Sequence, residues 1–179
     1  MTTETLIWLL PLPPLAAFIL IVFGVNRSKS ASHTLAVGAA GLSWLGSMVV
    51  FWQAIHKPDL AQSVLGSTIN WLPAGADWVQ IGTRIDPLSA VTLFFVAWTI
   101  FAIIVYSIGY HNFNAPIGVQ DKPGLPPHGA LETTAEGKVV HVPSVEPMYS
   151  RFFAFISLFA FAMYMLVISD NLLTLYIGW

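Results

Sequence analysis

Four stretches of this chain, residues 5–26, 30–56, 87–120 and 152–169, contain no Asp, Glu, Lys or Arg. A charged side chain at the centre of a bilayer-spanning helix costs on the order of 3 kcal/mol for insertion. Charge-free gaps of about 20 residues or more are therefore the mark of membrane spans. Only 9% of the 179 residues are charged and 56% are apolar, so the polar groups that would wet a water-soluble surface are scarce. The expected fold is an all-α integral membrane protein whose main partner is the lipid bilayer. No basic patch suggests a nucleic acid partner.

Four complete spans are expected at Leu6–Val25, Thr34–Ile55, Leu88–Tyr110 and Phe152–Ser169, with a fifth starting near Leu172. The first run lacks a basic leader, since Glu4 stands there, and Pro11, Pro13 and Pro14 interrupt it. It is expected to remain as a span rather than be removed as a signal peptide. The last apolar run, residues 172–179, covers less than half of a hydrocarbon core at about 1.5 Å per residue. The expectation is an N-terminal piece, residues 1–179 forming a single membrane domain of a longer protein.

Placement of the basic residues sets the expected orientation. Arg27, Lys29, Lys122, Lys138 and Arg151 fall in or beside the loops 26–33 and 111–150, against Lys57 and Arg84 on the other side. The positive-inside rule puts those two loops in the cytoplasm and the N-terminus outside. In the outer loop, Ser67–Leu72 and Trp78–Ile85 flank Pro73-Ala74-Gly75-Ala76-Asp77, which reads as a small β-hairpin. Trp71 and Trp78 suit the headgroup level. The inner loop holds six of the twelve prolines. Gly118–Gly129 should be irregular, and Thr133–Val142 suits a short hairpin around Glu136-Gly137-Lys138.

Candidate chemical groups are few. Asp86-Pro87-Leu88-Ser89 opens the third span as an N-cap followed by proline at the first helical position, and this outweighs an acidic group at a proton exit. Asp170-Asn171 reads as a turn and cap between antiparallel spans, and Arg151 as an interfacial anchor ahead of any role in coupling helices. His33, His56, His111, His128 and His141 lie in loops or at span ends without metal-ligand spacing. Proton collection at a membrane surface is the lesser alternative for them. The aromatic face of Phe152, Phe153, Phe155, Phe159 and Phe161 fits packing or lipid contact better than a quinone pocket. No cysteine is present for thiolate chemistry. No catalytic, cofactor-binding or metal-binding residue is assigned, and no cofactor. The four spans hold no mid-membrane ionisable group, so they offer no proton relay by themselves.

Several segments together carry a resemblance. They are Leu9-Leu10-Pro11-Leu12-Pro13, Ile85-Asp86-Pro87-Leu88-Ser89, Tyr106-Ser107-Ile108-Gly109-Tyr110, Tyr149-Ser150-Arg151-Phe152-Phe153-Ala154-Phe155, and Asp170-Asn171-Leu172-Leu173 with Leu175-Tyr176-Ile177-Gly178-Trp179. In this order they resemble the start of the antiporter-like subunit L of respiratory NADH–quinone oxidoreductase (complex I). The resemblance implies a proton-translocating subunit of the respiratory chain in the cell inner membrane, with other membrane-arm subunits as partners and no redox centre of its own. In that family a glutamate follows the Gly-Trp pair and the proton-path lysines lie on later helices, so no such residue maps onto this sequence. The connection from Tyr110 to Tyr149 is longer than the family usually has, which suggests an added contact with a neighbouring subunit. Two other functions are compatible with the same features: a subunit of a multi-subunit cation/proton antiporter, which shares these motifs, and a non-catalytic four-span scaffold of a membrane complex.

Overall fold

A computed structural model describes residues 2–75, 77–110, 131–133, 137, 139–141 and 148–179. Among them are four helical segments long and apolar enough to cross a membrane, at Thr3–Val25, Lys29–Ile55, Pro87–Gly109 and Tyr149–Ile168. With a short further helix and an antiparallel hairpin they form the expected multi-pass, mostly helical architecture.

The first span is not one continuous helix. It runs as α1 (Thr3–Leu9), α2 (Leu12–Leu20) and a wider π-helical turn at Ile21–Val25. The three prolines at 11, 13 and 14 are the physical reason for the break between α1 and α2, because each removes a backbone donor from the i→i−4 ladder. The second span, α3 (Lys29–Ile55), begins five residues before the expected Thr34. Ser28 caps it by accepting the Ala31 N–H at 3.3 Å. At 27 residues α3 is about 40 Å long, enough to carry Lys29 and His56 beyond the hydrocarbon.

The connection between the second and third spans, named outer after the expected orientation, forms β1 (Leu65–Ala74) and β2 (Asp77–Ile85), paired antiparallel with a bulge between Asn70 and Leu72. Gly66 has φ +156°, and a Cβ there would sit 2.0 Å from the Thr83 carbonyl oxygen, so only glycine fits this close approach. The third span, α4 (Pro87–Tyr110), follows directly. Within the connection between the third and fourth spans, named inner after the same expectation, β3 (Leu131–Thr133) pairs with β4 (Val139–His141), with Gly137 at φ +76° between them. The expected hairpin is therefore present, with its first strand starting two residues earlier. The irregular stretch expected at Gly118–Gly129, and the residues His111 and His128, lie outside the described residues. Finally, α5 (Tyr149–Ile168) forms the fourth span, starting three residues earlier than expected, and α6 (Leu172–Gly178) is a short helix at the place where a fifth span is expected to start.

The core combines small residues with larger ones such as Ile7, Leu10, Leu93 and Ile104. On α3 the buried face is Ser32, Ala36, Ala39, Ala40, Ser43, Ser47, Val50 and Ala54, at helical spacing. On α5, Phe153, Ala154, Ser157, Ala160 and Tyr164 face inward. Such faces let helices approach closely, which matters in lipid, where apolar side chains gain little by leaving the surroundings. Other large apolar side chains point outward, among them Phe95, Phe155, Phe159 and Leu42.

Candidate functional site

The bundle's interior polar groups mostly serve the backbone. Pro14 cannot donate to the Leu10 carbonyl four residues earlier, and in lipid an unpaired carbonyl costs several kcal/mol. Ser43 on α3 supplies the missing donor, its hydroxyl 2.7 Å from the Leu10 oxygen and fully buried. One turn on, Ser47 donates to the Ser43 carbonyl at 2.8 Å. The Tyr164 hydroxyl from α5 is buried on the side of Ser47 and makes no hydrogen bond of normal geometry among the described residues. At the inner end, the Tyr149 hydroxyl lies 2.9 Å from Nδ1 of His33, their rings edge to face. Of the other histidines, His56 sits with Nδ1 2.8 Å from the Trp52 carbonyl oxygen at the outer end of α3.

At the outer end, the hairpin is fastened to the helices at several points. Trp8 on α1 donates to the Ser67 hydroxyl at 2.9 Å. The Asp170 N–H donates to the Gly82 carbonyl at 3.1 Å, and Thr83 bridges to Ser169. Asn171 caps α6, accepting the Thr174 N–H at 2.9 Å, while its amide nitrogen donates to the Gln80 carbonyl at 3.0 Å. Thr174 is wholly buried; its hydroxyl donates to Asn171 Oδ1 at 3.0 Å and accepts the Gly82 N–H at 3.1 Å. A Cβ on Gly82 would fall 2.8 Å from Thr68 and 3.0 Å from the Asp170 carboxylate, so this junction needs a residue without one. The turn read at Asp170-Asn171 is thus present, and it is also the clamp between hairpin and α6.

Asp86 caps α4 as expected, accepting the Ser89 N–H at 2.7 Å. That bond, together with the Ser89 side chain, the positive charge of Arg84 and the Leu88 amide, outweighs partial burial and holds the carboxyl below its ordinary value. Arg151 is exposed on the first turn of α5, with its guanidinium 3.6 Å from the Met148 sulfur. The aromatic face of α5 divides: Phe153 is fully buried against Tyr149 and His33, whereas Phe155 and Phe159 are more than half exposed. Among the described residues no group of three His, Asp or Glu side chains stands close enough to hold a metal.

Sequence reading singled out Asp86, Asp170, Asn171 and Arg151 but passed over Ser43, Thr174, Tyr149 and Tyr164. Ser43 had a legible signal in Pro14, which demands an outside donor for Leu10. Thr174 had only a local one, as the third residue after an Asn cap.

Comparison with known proteins matches this arrangement to one family. Residues 71–111, from the outer hairpin through α4, match the family model described as NADH-Ubiquinone oxidoreductase (complex I), chain 5 N-terminus. The chain is 27% identical to NADH-quinone oxidoreductase subunit L of Mycobacterium tuberculosis (strain ATCC 25618 / H37Rv) over 172 residues, 96% of this chain and 22% of the relative. It is 26% identical to subunit L of Neisseria meningitidis serogroup B (strain ATCC BAA-335 / MC58) over 181 residues, 100% of this chain and 22% of the relative. It is 25% identical to the chloroplastic NAD(P)H-quinone oxidoreductase subunit 5 of Zygnema circumcarinatum over 180 residues, 97% of this chain and 20% of the relative. The chain spans about a fifth of the length of the curated relatives it matches. The resemblance drawn from the ordered motifs is borne out over nearly the whole chain.

Proposed function

We propose that this chain forms the N-terminal membrane domain of an antiporter-like subunit of a respiratory NADH–quinone oxidoreductase and takes part in proton translocation. The observation that carries this reading is similarity to subunit L over 96% of the chain, in motif order and with the same family's N-terminal pattern on the hairpin and α4. On this reading the protein works in the cell membrane beside other membrane-arm subunits, with the loops 26–33 and 111–150 cytoplasmic. Electron transfer between NADH and quinone takes place in other subunits, and this chain supplies no redox centre.

The described spans supply architecture for that task. Most of their interior serine hydroxyls are engaged with backbone carbonyls, and they hold no Asp, Glu, Lys or Arg at mid-membrane depth that would carry a proton. What they do is hold the hairpin against the first residues of α6 through Gly82, Asn171 and Thr174. In the family, α6 leads to the glutamate that follows the Gly-Trp pair. The clamp therefore positions the start of a proton-path helix.

The test uses inverted membrane vesicles from cells with and without the intact gene, followed with a pH-sensitive dye. NADH-driven acidification should fall when the gene is disrupted and return on complementation. Unchanged NADH-driven acidification, with loss only of proton flux driven by a sodium gradient, would overturn the respiratory reading and favour the cation/proton antiporter.

A further inference from the structure

Between the inner end of the first span and the first turn of α5 lies a cavity of about 250 Å³, lined by Ile21, Val22, Asn26, Ser150, Arg151 and Phe155, with Ala154 at its floor. Its chemistry is divided along the membrane normal. Asn26, Ser150 and Arg151 form the end nearest the helix termini, and Ile21, Val22, Ala154 and Phe155 continue toward the membrane centre. Arg151 and Phe155 are one turn apart on α5, about 6 Å along its axis.

The polar end has unused capacity. Ser150 is only 7% exposed, and its hydroxyl is buried without a hydrogen-bond partner among the described residues. Asn26 uses one amide hydrogen on the Val22 carbonyl at 3.1 Å and retains the other. Among the described residues, Arg151 makes one side-chain hydrogen bond, from a guanidinium nitrogen to the Met148 sulfur. Met148, at the N-cap of α5, makes no side-chain capping bond, so the positive end of the helix dipole faces the same place. Three donor side chains, one of them cationic, thus converge at headgroup depth above an apolar trough.

We propose that this cavity binds one anionic phospholipid of the adjacent leaflet. Its phosphodiester accepts hydrogen bonds from Arg151, Ser150 and Asn26, and an acyl chain lies along Ile21, Val22 and Phe155. The orphaned Ser150 hydroxyl then has an acceptor, and the single formal charge at the site is neutralised within a partly desolvated setting. A lipid, rather than a free anion, is the occupant because apolar Ile21, Val22 and Phe155 line the same cavity as the polar end, and Phe155 is 57% exposed. The inference requires only the membrane placement and stands apart from the translocase reading.

The test reconstitutes the full-length protein in its native complex into nanodiscs of equal phosphatidylglycerol and phosphatidylcholine. Lipids retained on the subunit after detergent extraction are then counted by native mass spectrometry. The wild type should retain phosphatidylglycerol in preference to phosphatidylcholine. Arg151→Gln should reduce that preference by about fivefold, the effect of one basic side chain at a membrane surface. Arg151→Lys should keep most of it, and Lys57→Gln at the other membrane face should leave it unchanged. Equal retention of the two lipids by the wild type would overturn the proposal, as would Arg151→Gln behaving like the wild type. So would displacement of the lipid by millimolar inorganic phosphate, which would identify a small-anion site.

Discussion

Removal of the Ser43 hydroxyl isolates the device that lets the first span cross the membrane with three prolines in it. Ser43→Ala deletes a 2.7 Å hydrogen bond and leaves the Leu10 carbonyl facing apolar side chains, because Pro14 has no N–H to offer in its place. The cost of an orphaned buried acceptor is about 1–3 kcal/mol, and interhelical hydrogen bonds measured within a membrane protein average about 0.6 kcal/mol and reach about 1.7. The expected destabilisation is about 1–2 kcal/mol. The decisive experiment adds Pro14→Ala, which restores the missing donor. Leu10 and Pro11 both have right-handed helical backbone, at φ/ψ of −56°/−45° and −77°/−18°, so an N–H at position 14 would meet the Leu10 carbonyl. In that background Ser43→Ala should cost little, giving a coupling energy of about 1 kcal/mol in a double-mutant cycle of detergent-unfolding free energies. If Ser43→Ala costs the same with and without Pro14, the hydroxyl does not compensate for the proline and the reasoning fails.

Three further outcomes are expected. Gly66→Ala should distort the outer hairpin, since its methyl carbon would fall 2.0 Å from the Thr83 carbonyl oxygen; a clear drop in thermal midpoint is expected, whereas Gly24→Ala, whose methyl meets nothing within 4 Å, should leave it near wild type. Thr174→Val removes the acceptor of the Gly82 N–H and should cost about 1–3 kcal/mol, read as faster hydrogen exchange at Gly82, with Thr174→Ser restoring protection. Asp86→Ala should cost about 1 kcal/mol at neutral pH through loss of the α4 cap. Because the folded carboxyl titrates below its ordinary value, its contribution is present above about pH 4 and is lost as pH falls through the lowered pKa. The difference in thermal midpoint between wild type and Asp86→Ala should therefore shrink on acidification below pH 4; a constant difference would contradict the capping role.

The sequence by itself determined where the chain crosses the membrane and where its local caps lie. Charge-free runs of span length report directly on insertion energy, and Asp86-Pro87 acts within one helical turn of itself, so tertiary structure adds nothing to them. The hairpin was legible for the same reason, through alternation around a Pro/Gly/Asp turn. Only the tertiary structure decided what the interior hydroxyls do. Ser43 and Leu10 are 33 positions apart, and Thr174 and Gly82 are 92 apart. A serine or threonine inside an apolar run looks the same whether it bonds its own helix, as Ser157 does to Phe153, or rescues another. Likewise the Arg151 that reads as a simple interfacial anchor gains Asn26 as a neighbour only when α5 packs against the end of the first span. Insertion is a property of each segment alone, whereas partnering of polar groups in lipid depends on which helix faces which.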